Sequence, residues 1–113
     1  MPKRAVAASR ASRDALAVLG TQIKRARLER RWTQTDLAAR IGIDFKTLAA
    51  VEKGSPTVAI GTVFNAAFTV GVDLFGLEGD ELALARRRGE ETLALLPKKS
   101  RATRLKDDGD DDF

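Results

Sequence analysis

Phe45, Lys46, Ala49, Ala50 and Lys53 follow one another at steps of one, three, one and three residues. That spacing gathers them on one face of a helix, with Leu48 and Val51 on the other. Such a face has a definite chemistry. Lys46 is the only long donor near the helix start, where it reaches either guanine O6/N7 or a phosphate oxygen. Phe45, Ala49 and Ala50 cannot hydrogen-bond, but they can touch thymine C5-methyl groups. Lys53 suits a phosphate as well as a base. With so few base-edge donors, specificity would lean on methyl contacts and on DNA shape.

Other chemistries are scarce. The chain has no Cys and no His among 113 residues. That excludes zinc sites of the Cys/His kind, thiol nucleophiles, disulfides and a histidine general base. Glu90 and Glu91 sit beside Arg86–Arg88 and read as their ion-pair partners, not as a catalytic dyad. No enzyme activity, cofactor or metal is expected. No run approaches the roughly 18 apolar residues of a membrane span, and Met1–Arg13 is basic and Ala/Ser-rich without the apolar stretch of a secretory signal. A cytoplasmic, nucleoid-associated protein is expected.

The net charge of +4 conceals four blocks. Residues 1–53 hold 12 Lys/Arg against 5 Asp/Glu, and residues 54–85 hold none against 4. Residues 86–106 hold 8 against 2, and residues 107–113 add five Asp. A basic N-terminal half is the electrostatic footprint of a nucleic-acid binder.

Four helices must position the reading face. The first is expected from Ser12 or Asp14 to Arg30, with Leu16, Leu19, Ile23 and Ala26 as its apolar stripe and Lys24, Arg25, Arg27, Arg30 and Arg31 on the other side and last turn. Thr33 is an N-cap with Asp36 completing a capping box, and Trp32 and Leu37 form a hydrophobic staple. That helix ends at Ile41, before a left-handed Gly42. Asp44 caps the next, with Ile43 and Leu48 as a second staple, and Gly54 closes it. Thr57 caps a fourth helix over 58–70, centred on Val63, Phe64, Ala67, Phe68 and Val70. Gly61 inside it suggests a close helix crossing. Residues 71–77 read equally as short helix or strand. Asp80 and Glu81 open a last helix that Pro97 closes, with Leu82, Ala85, Leu93 and Leu96 on one face. The expected organisation is a disordered basic arm (1–11), a DNA-binding domain (12–78), a C-terminal helix offering a dimer or partner contact (79–97) and a disordered charged tail (98–113).

The small Ala38, the Gly42 hinge and the apolar Leu37, Ile41, Leu48 and Val51 suit two helices crossing at a tight turn, the helix-turn-helix geometry. At Trp32-Thr33-Gln34, Leu37-Ala38, Ile41-Gly42-Ile43 and Val51-Glu52-Lys53-Gly54 the chain resembles the lambda-repressor-like, XRE-type helix-turn-helix family. Pro56 and Gly71-Val72-Asp73-Leu74 extend the likeness, which covers about residues 14–76. It implies an all-α, lambda-repressor-like domain of four to five helices, here with an extra C-terminal helix, acting as a homodimer on a palindromic operator in double-stranded DNA. Within that family the chain is most similar to HipB-type antitoxins, which implies autoregulation and a HipA-like serine/threonine kinase toxin as partner. A free-standing phage or plasmid repressor, or the antitoxin of another toxin class, is the alternative.

The candidate DNA-contacting set is Gln34, Thr35, Arg40, Phe45, Lys46, Thr47, Ala49, Ala50 and Lys53. Gln34 and Thr47 stand at helix N-termini, where side chains and amides hold phosphate. Arg40 either joins them or pairs with Asp36. Lys3, Arg4 and Arg10 add phosphate contacts from the arm. The acidic tail either mimics phosphate, docks Phe113 into a protein partner, or only solvates the chain.

Overall fold

A computed structural model describes residues 7–98. The expected roles of Lys3, Arg4, Phe113 and the acidic run fall outside them. The described residues hold five helices and no strand: α1 Arg10–Glu29, α2 Gln34–Ile41, α3 Phe45–Lys53, α4 Ile60–Thr69 and α5 Gly79–Ala94. The chain divides after Gly76 into two compact units, the first holding α1 to α4 and the second α5.

In the first unit α1 packs on α3 and α4, and α2 packs on α3 and α4. Ile23, Leu37, Ala38, Leu48, Val51, Val63, Ala66, Ala67, Val70 and Leu74 make the core, with Leu19, Ala26, Trp32, Ile41 and Ile43 half-buried against it. The apolar members of the two expected staples, Trp32 and Leu37, Ile43 and Leu48, all lie in this core or against it.

Helix α1 starts earlier than its apolar stripe suggests, because the Ser9 hydroxyl accepts the Ser12 N–H at 3.1 Å and caps it at Arg10. Its buried positions are Gly20, Ile23 and Arg27, at i, i+3 and i+7. Arg27 is thus a correction: expected on the charged side, it lies inside. A Cβ on Gly20 would stand 2.5 Å from the Glu52 carbonyl oxygen and 2.7 Å from that of Val51. The backbones of α1 and α3 touch there, which only glycine allows. The expected crossing at Gly61 is absent, since nothing lies within 4 Å of a Cβ there.

Thr57 does not cap α4, which begins at Ile60 with Ala59 at the cap position and no side-chain cap bond. The Thr57 hydroxyl lies 3.0 Å from that of Ser55, whose oxygen also accepts the Thr57 N–H. Within α4 the buried face is Val63, Ala66 and Ala67, continued by Val70 at the C-cap. Phe68, expected in the core, is 47 % exposed. Its helical phase joins it to Ile60 and Phe64 on the neighbouring stripe, where Phe64 lies 6.4 Å from Phe68 and 6.2 Å from Phe75. Residues 71–77 are neither helix nor strand but a turn, with left-handed Gly71, Phe75 and Gly76.

In the second unit α5 begins at Gly79, where Glu78 N–H donates to Glu81 Oε1 at 2.8 Å. Arg86 and Glu90 pair at 3.2 Å in solvent.

Candidate nucleic-acid interface

Two short helices and their turn are built almost wholly by local side-chain chemistry. Thr33 Oγ1 accepts the Asp36 N–H at 3.0 Å, and Asp36 Oδ2 accepts the Thr33 N–H at 2.8 Å. Gly42 takes φ 77° and its N–H returns to the Ala38 carbonyl, ending α2 within one residue. Asp44 Oδ1 accepts the Thr47 N–H at 2.7 Å and starts α3 at once. At the far end Gly54, at φ 79°, closes α3 while Ser55 N–H reaches the Ala50 carbonyl at 3.0 Å.

Those two caps are titratable. Bonds from Thr33, its backbone N–H first, hold the Asp36 carboxyl below the usual aspartate range, and the Thr47 N–H does the same for Asp44. Both pKa values are lowered by folding, so their stabilising effect is present above the unfolded value of about 3.9 and is lost as pH falls through the lower folded values. Asn in place of Asp44 still caps the helix but does not titrate. The stability advantage of the parent over Asp44→Asn should therefore shrink as pH drops below about 4, measured by urea unfolding across an acid series. An advantage independent of pH would mean that the carboxylate charge contributes nothing.

Between these caps α3 buries Leu48, Val51 and Glu52. It leaves Phe45, Lys46 and Lys53 exposed, with Thr47, Ala49 and Ala50 half-exposed. The five residues of the expected reading face thus share one side of one helix, away from the core. Phe45 is 52 % exposed, a large apolar surface turned to solvent beside a lysine.

Glu52 anchors this helix from inside. Arg27 Nε donates to Glu52 Oε2 at 2.6 Å and Arg27 Nη2 to Oε1 at 3.0 Å, a bidentate pair with side chains only 6 % and 3 % exposed. The remaining Arg27 nitrogen, Nη1, donates to the Trp32 carbonyl at 2.8 Å. Arg31, left-handed at φ 60°, makes the bend that brings this carbonyl round. Gln34 Nε2 donates to Glu52 Oε1 at 3.1 Å. The Arg27–Glu52 pair therefore ties together α1, the link after it, the start of α2 and the inside of α3. This cluster is not foreseen in the sequence, where Arg27 groups by type with the charged side of α1 and Glu52 belongs only to the motif that ends α3. Helical phase was the available signal: Arg27 lies four residues after Ile23, and Glu52 four after Leu48.

Two of the candidate side chains are engaged within the protein. The Gln34 amide is held by Glu52, and its outward-facing resource is the first turn of α2, where Thr35 is exposed. The Arg40 guanidinium lies 3.9 Å from the centre of the Trp32 ring, a cation–π stack in place of an ion pair with Asp36. Arg30 approaches the same ring at 5.7 Å. Thr47 gives its N–H to Asp44, which leaves its hydroxyl for an outside partner. Arg10 is exposed at the first residue of α1.

The arrangement is a rigid, capped two-helix unit that presents a short apolar and basic face and no buried nucleophile. Comparison with known proteins agrees. Residues 23–76 match the model of a family described as helix-turn-helix. No curated protein matches the chain.

Proposed function

We propose that this protein, whose residues 23–76 match a helix-turn-helix family, is a sequence-specific transcription repressor that binds a palindromic operator as a homodimer. The observation that carries the reading is the outer face of α3. Phe45, Lys46, Ala49, Ala50 and Lys53 stand together there on a helix of about 13 Å, the scale of a major-groove insertion. Lys46 is the base-edge donor, Phe45 and Ala49 touch thymine methyls, and Lys53 with the hydroxyls of Thr35 and Thr47 touches phosphate. Gln34 orients α2 through Glu52 and offers its backbone amide to phosphate. Arg40 reaches phosphate by leaving the Trp32 ring.

Titration against DNA from immediately upstream of the protein's own gene, beside a random duplex at the same salt, tests this. Tight, salt-dependent binding to the first and much weaker binding to the second is expected. Equal affinity for both would reduce the protein to a non-specific binder. Lys46→Ala should weaken operator binding by about 1–3 kcal/mol, the range of a good base contact, and random-duplex binding far less. Equal losses on both duplexes would make Lys46 a phosphate ligand.

The finer reading is that the repressor is the antitoxin of a type II toxin–antitoxin module. It is HipB-like, neutralising a HipA-like serine/threonine kinase in the cytoplasm and regulating its own operon. The run Trp32-Thr33-Gln34 through Ile41-Gly42-Ile43 supports it, with Phe113 as the residue that docks the partner. Copurification with the product of the adjacent gene decides. A stable complex with a kinase is expected, and a protein that purifies free and still represses is a free-standing regulator.

A further inference from the structure

We infer that the outer face of α3 reads the C5-methyl group itself, whichever pyrimidine carries it, so that 5-methylcytosine serves this protein where thymine does. The inference rests on the reading of α3 as the groove helix and names the chemistry that its DNA must present.

The face has almost nothing with which to tell the two bases apart. Thymine and 5-methylcytosine carry the same methyl on the same ring carbon. In the major groove they differ only at position 4, an O4 acceptor against an N4 donor. Telling them apart takes a donor or an acceptor aimed at that point. Within α3 the only carboxylate is Glu52, and it is buried with both oxygens occupied, Oε2 by Arg27 Nε and Oε1 by Arg27 Nη2 and Gln34 Nε2. Asn and Gln, which hold adenine with a donor and an acceptor together, are absent from the helix. Asp44 at its cap turns Oδ1 back to the Thr47 N–H. What faces outward is Lys46, Lys53, the Thr47 hydroxyl and the apolar Phe45, Ala49 and Ala50.

Those apolar side chains are placed for methyl groups. Phe45 is 52 % exposed. Ala49 follows it by four residues and Ala50 by five, so the alanines stand about one turn, or 5.4 Å, further along the helix. Successive bases of one strand are about 3.4 Å apart, which lets Phe45 and the alanines meet pyrimidines one or two steps from each other. Lys46 makes an exception of its own step. Its ammonium donates to guanine O6 or thymine O4 and finds only hydrogens at cytosine N4. At the steps under Phe45, Ala49 and Ala50, methylation of a cytosine supplies the group that the face is built to touch. The protein therefore answers to the methylation state of its site.

The full chain is titrated at one fixed salt with the duplex from immediately upstream of its gene, each thymine in turn replaced by deoxyuridine. That exchange removes the methyl and keeps O4 and the pairing with adenine. Thymines under Phe45, Ala49 or Ala50 should lose affinity about fourfold each, the effect of burying one carbon group, and the others should not change. At each sensitive step the pair is then exchanged for cytosine–guanine and for 5-methylcytosine–guanine. The methylated pair should bind about fourfold tighter than the unmethylated one. Phe45→Ala, with its folding checked by urea, should abolish both differences at the step it covers. Deoxyuridine equal to thymine at every position, or 5-methylcytosine no tighter than cytosine at the sensitive steps, would overturn the inference. Differences that Phe45→Ala leaves unchanged at every step would overturn it as well, by placing them in DNA shape. Two pools of random duplexes, one with 5-methylcytosine in place of every cytosine, separate this inference from the repressor reading. Enrichment from the methylated pool without binding to the upstream duplex sinks the repressor reading alone. Tight binding to the upstream duplex that ignores every methyl sinks the methyl reading alone.

Discussion

Glu52→Ala should lower the unfolding free energy by about 3–5 kcal/mol, the range for removing one partner of a buried ion pair. The substitution leaves the Arg27 guanidinium inside the domain without a counter-charge, since that side chain is 6 % exposed. It also frees the Gln34 amide and so unties the start of α2 from α3. Against a total of about 5–15 kcal/mol for a domain, the loss is large. Urea unfolding should show a lower midpoint at an unchanged slope, with operator binding lost in step with the folded fraction. The double variant Arg27→Met, Glu52→Leu removes both charges and should lose less than the two single variants together. Additive losses would show that the bidentate contact contributes no coupling. An exposed pair such as Arg25–Glu29, at 3.4 Å with side chains 80 % and 64 % exposed, should cost at most about 1 kcal/mol when broken.

Gly20→Ala should destabilise by about 1–3 kcal/mol, as overpacking does, although alanine is the better helix former by about 1 kcal/mol. The added methyl meets two carbonyl oxygens at 2.5 and 2.7 Å, and both are backbone atoms that no rotamer change can move. Relief requires α1 to lift from the C-terminal turn of α3. A second close approach would be strained with it, because a Cβ on Gly54 would lie 2.8 Å from the Ala17 nitrogen. Gly61→Ala is the matched control. It is also inside a helix, but it faces open space, so the propensity term stands alone and stability should rise by up to about 1 kcal/mol. Thermal unfolding of the pair should give shifts of opposite sign. A Gly20→Ala protein as stable as Gly61→Ala would mean that the two backbones do not touch.

What was legible in the sequence was whatever is decided within four residues. Thr33 with Asp36, Asp44 with Thr47, and the left-handed Gly42 and Gly54 each bond to near neighbours, and those neighbours are written beside them. The ends of α2 and α3, and so the outward face of α3, followed from local chemistry. The contacts that hold α3 in place did not. Arg27 and Glu52 are 25 residues apart; residue type puts Arg27 on the charged side of α1 and says nothing of a partner for it inside. Only the phase they share with Ile23 and Leu48 placed them inside. The sequence raises a close crossing at Gly61, but the crossing falls at Gly20 because that residue shares the Ile23 stripe, while Gly61 does not share that of Val63. Phe68 shows the limit of counting apolar residues. Helix α4 has more of them than one buried face can hold, and the surplus stands in solvent.

Trp32 is the only tryptophan of the chain, and two guanidinium groups lie against its ring. Light absorbed and emitted by this protein at indole wavelengths therefore comes from a single point, the junction between α1 and α2. An indole responds to the charge nearest its ring. If Arg40 exchanges its place on the ring for a phosphate oxygen, as proposed above, the colour and brightness of that emission should change. On the proposed reading, that emission should report occupancy by DNA in real time without any attached dye.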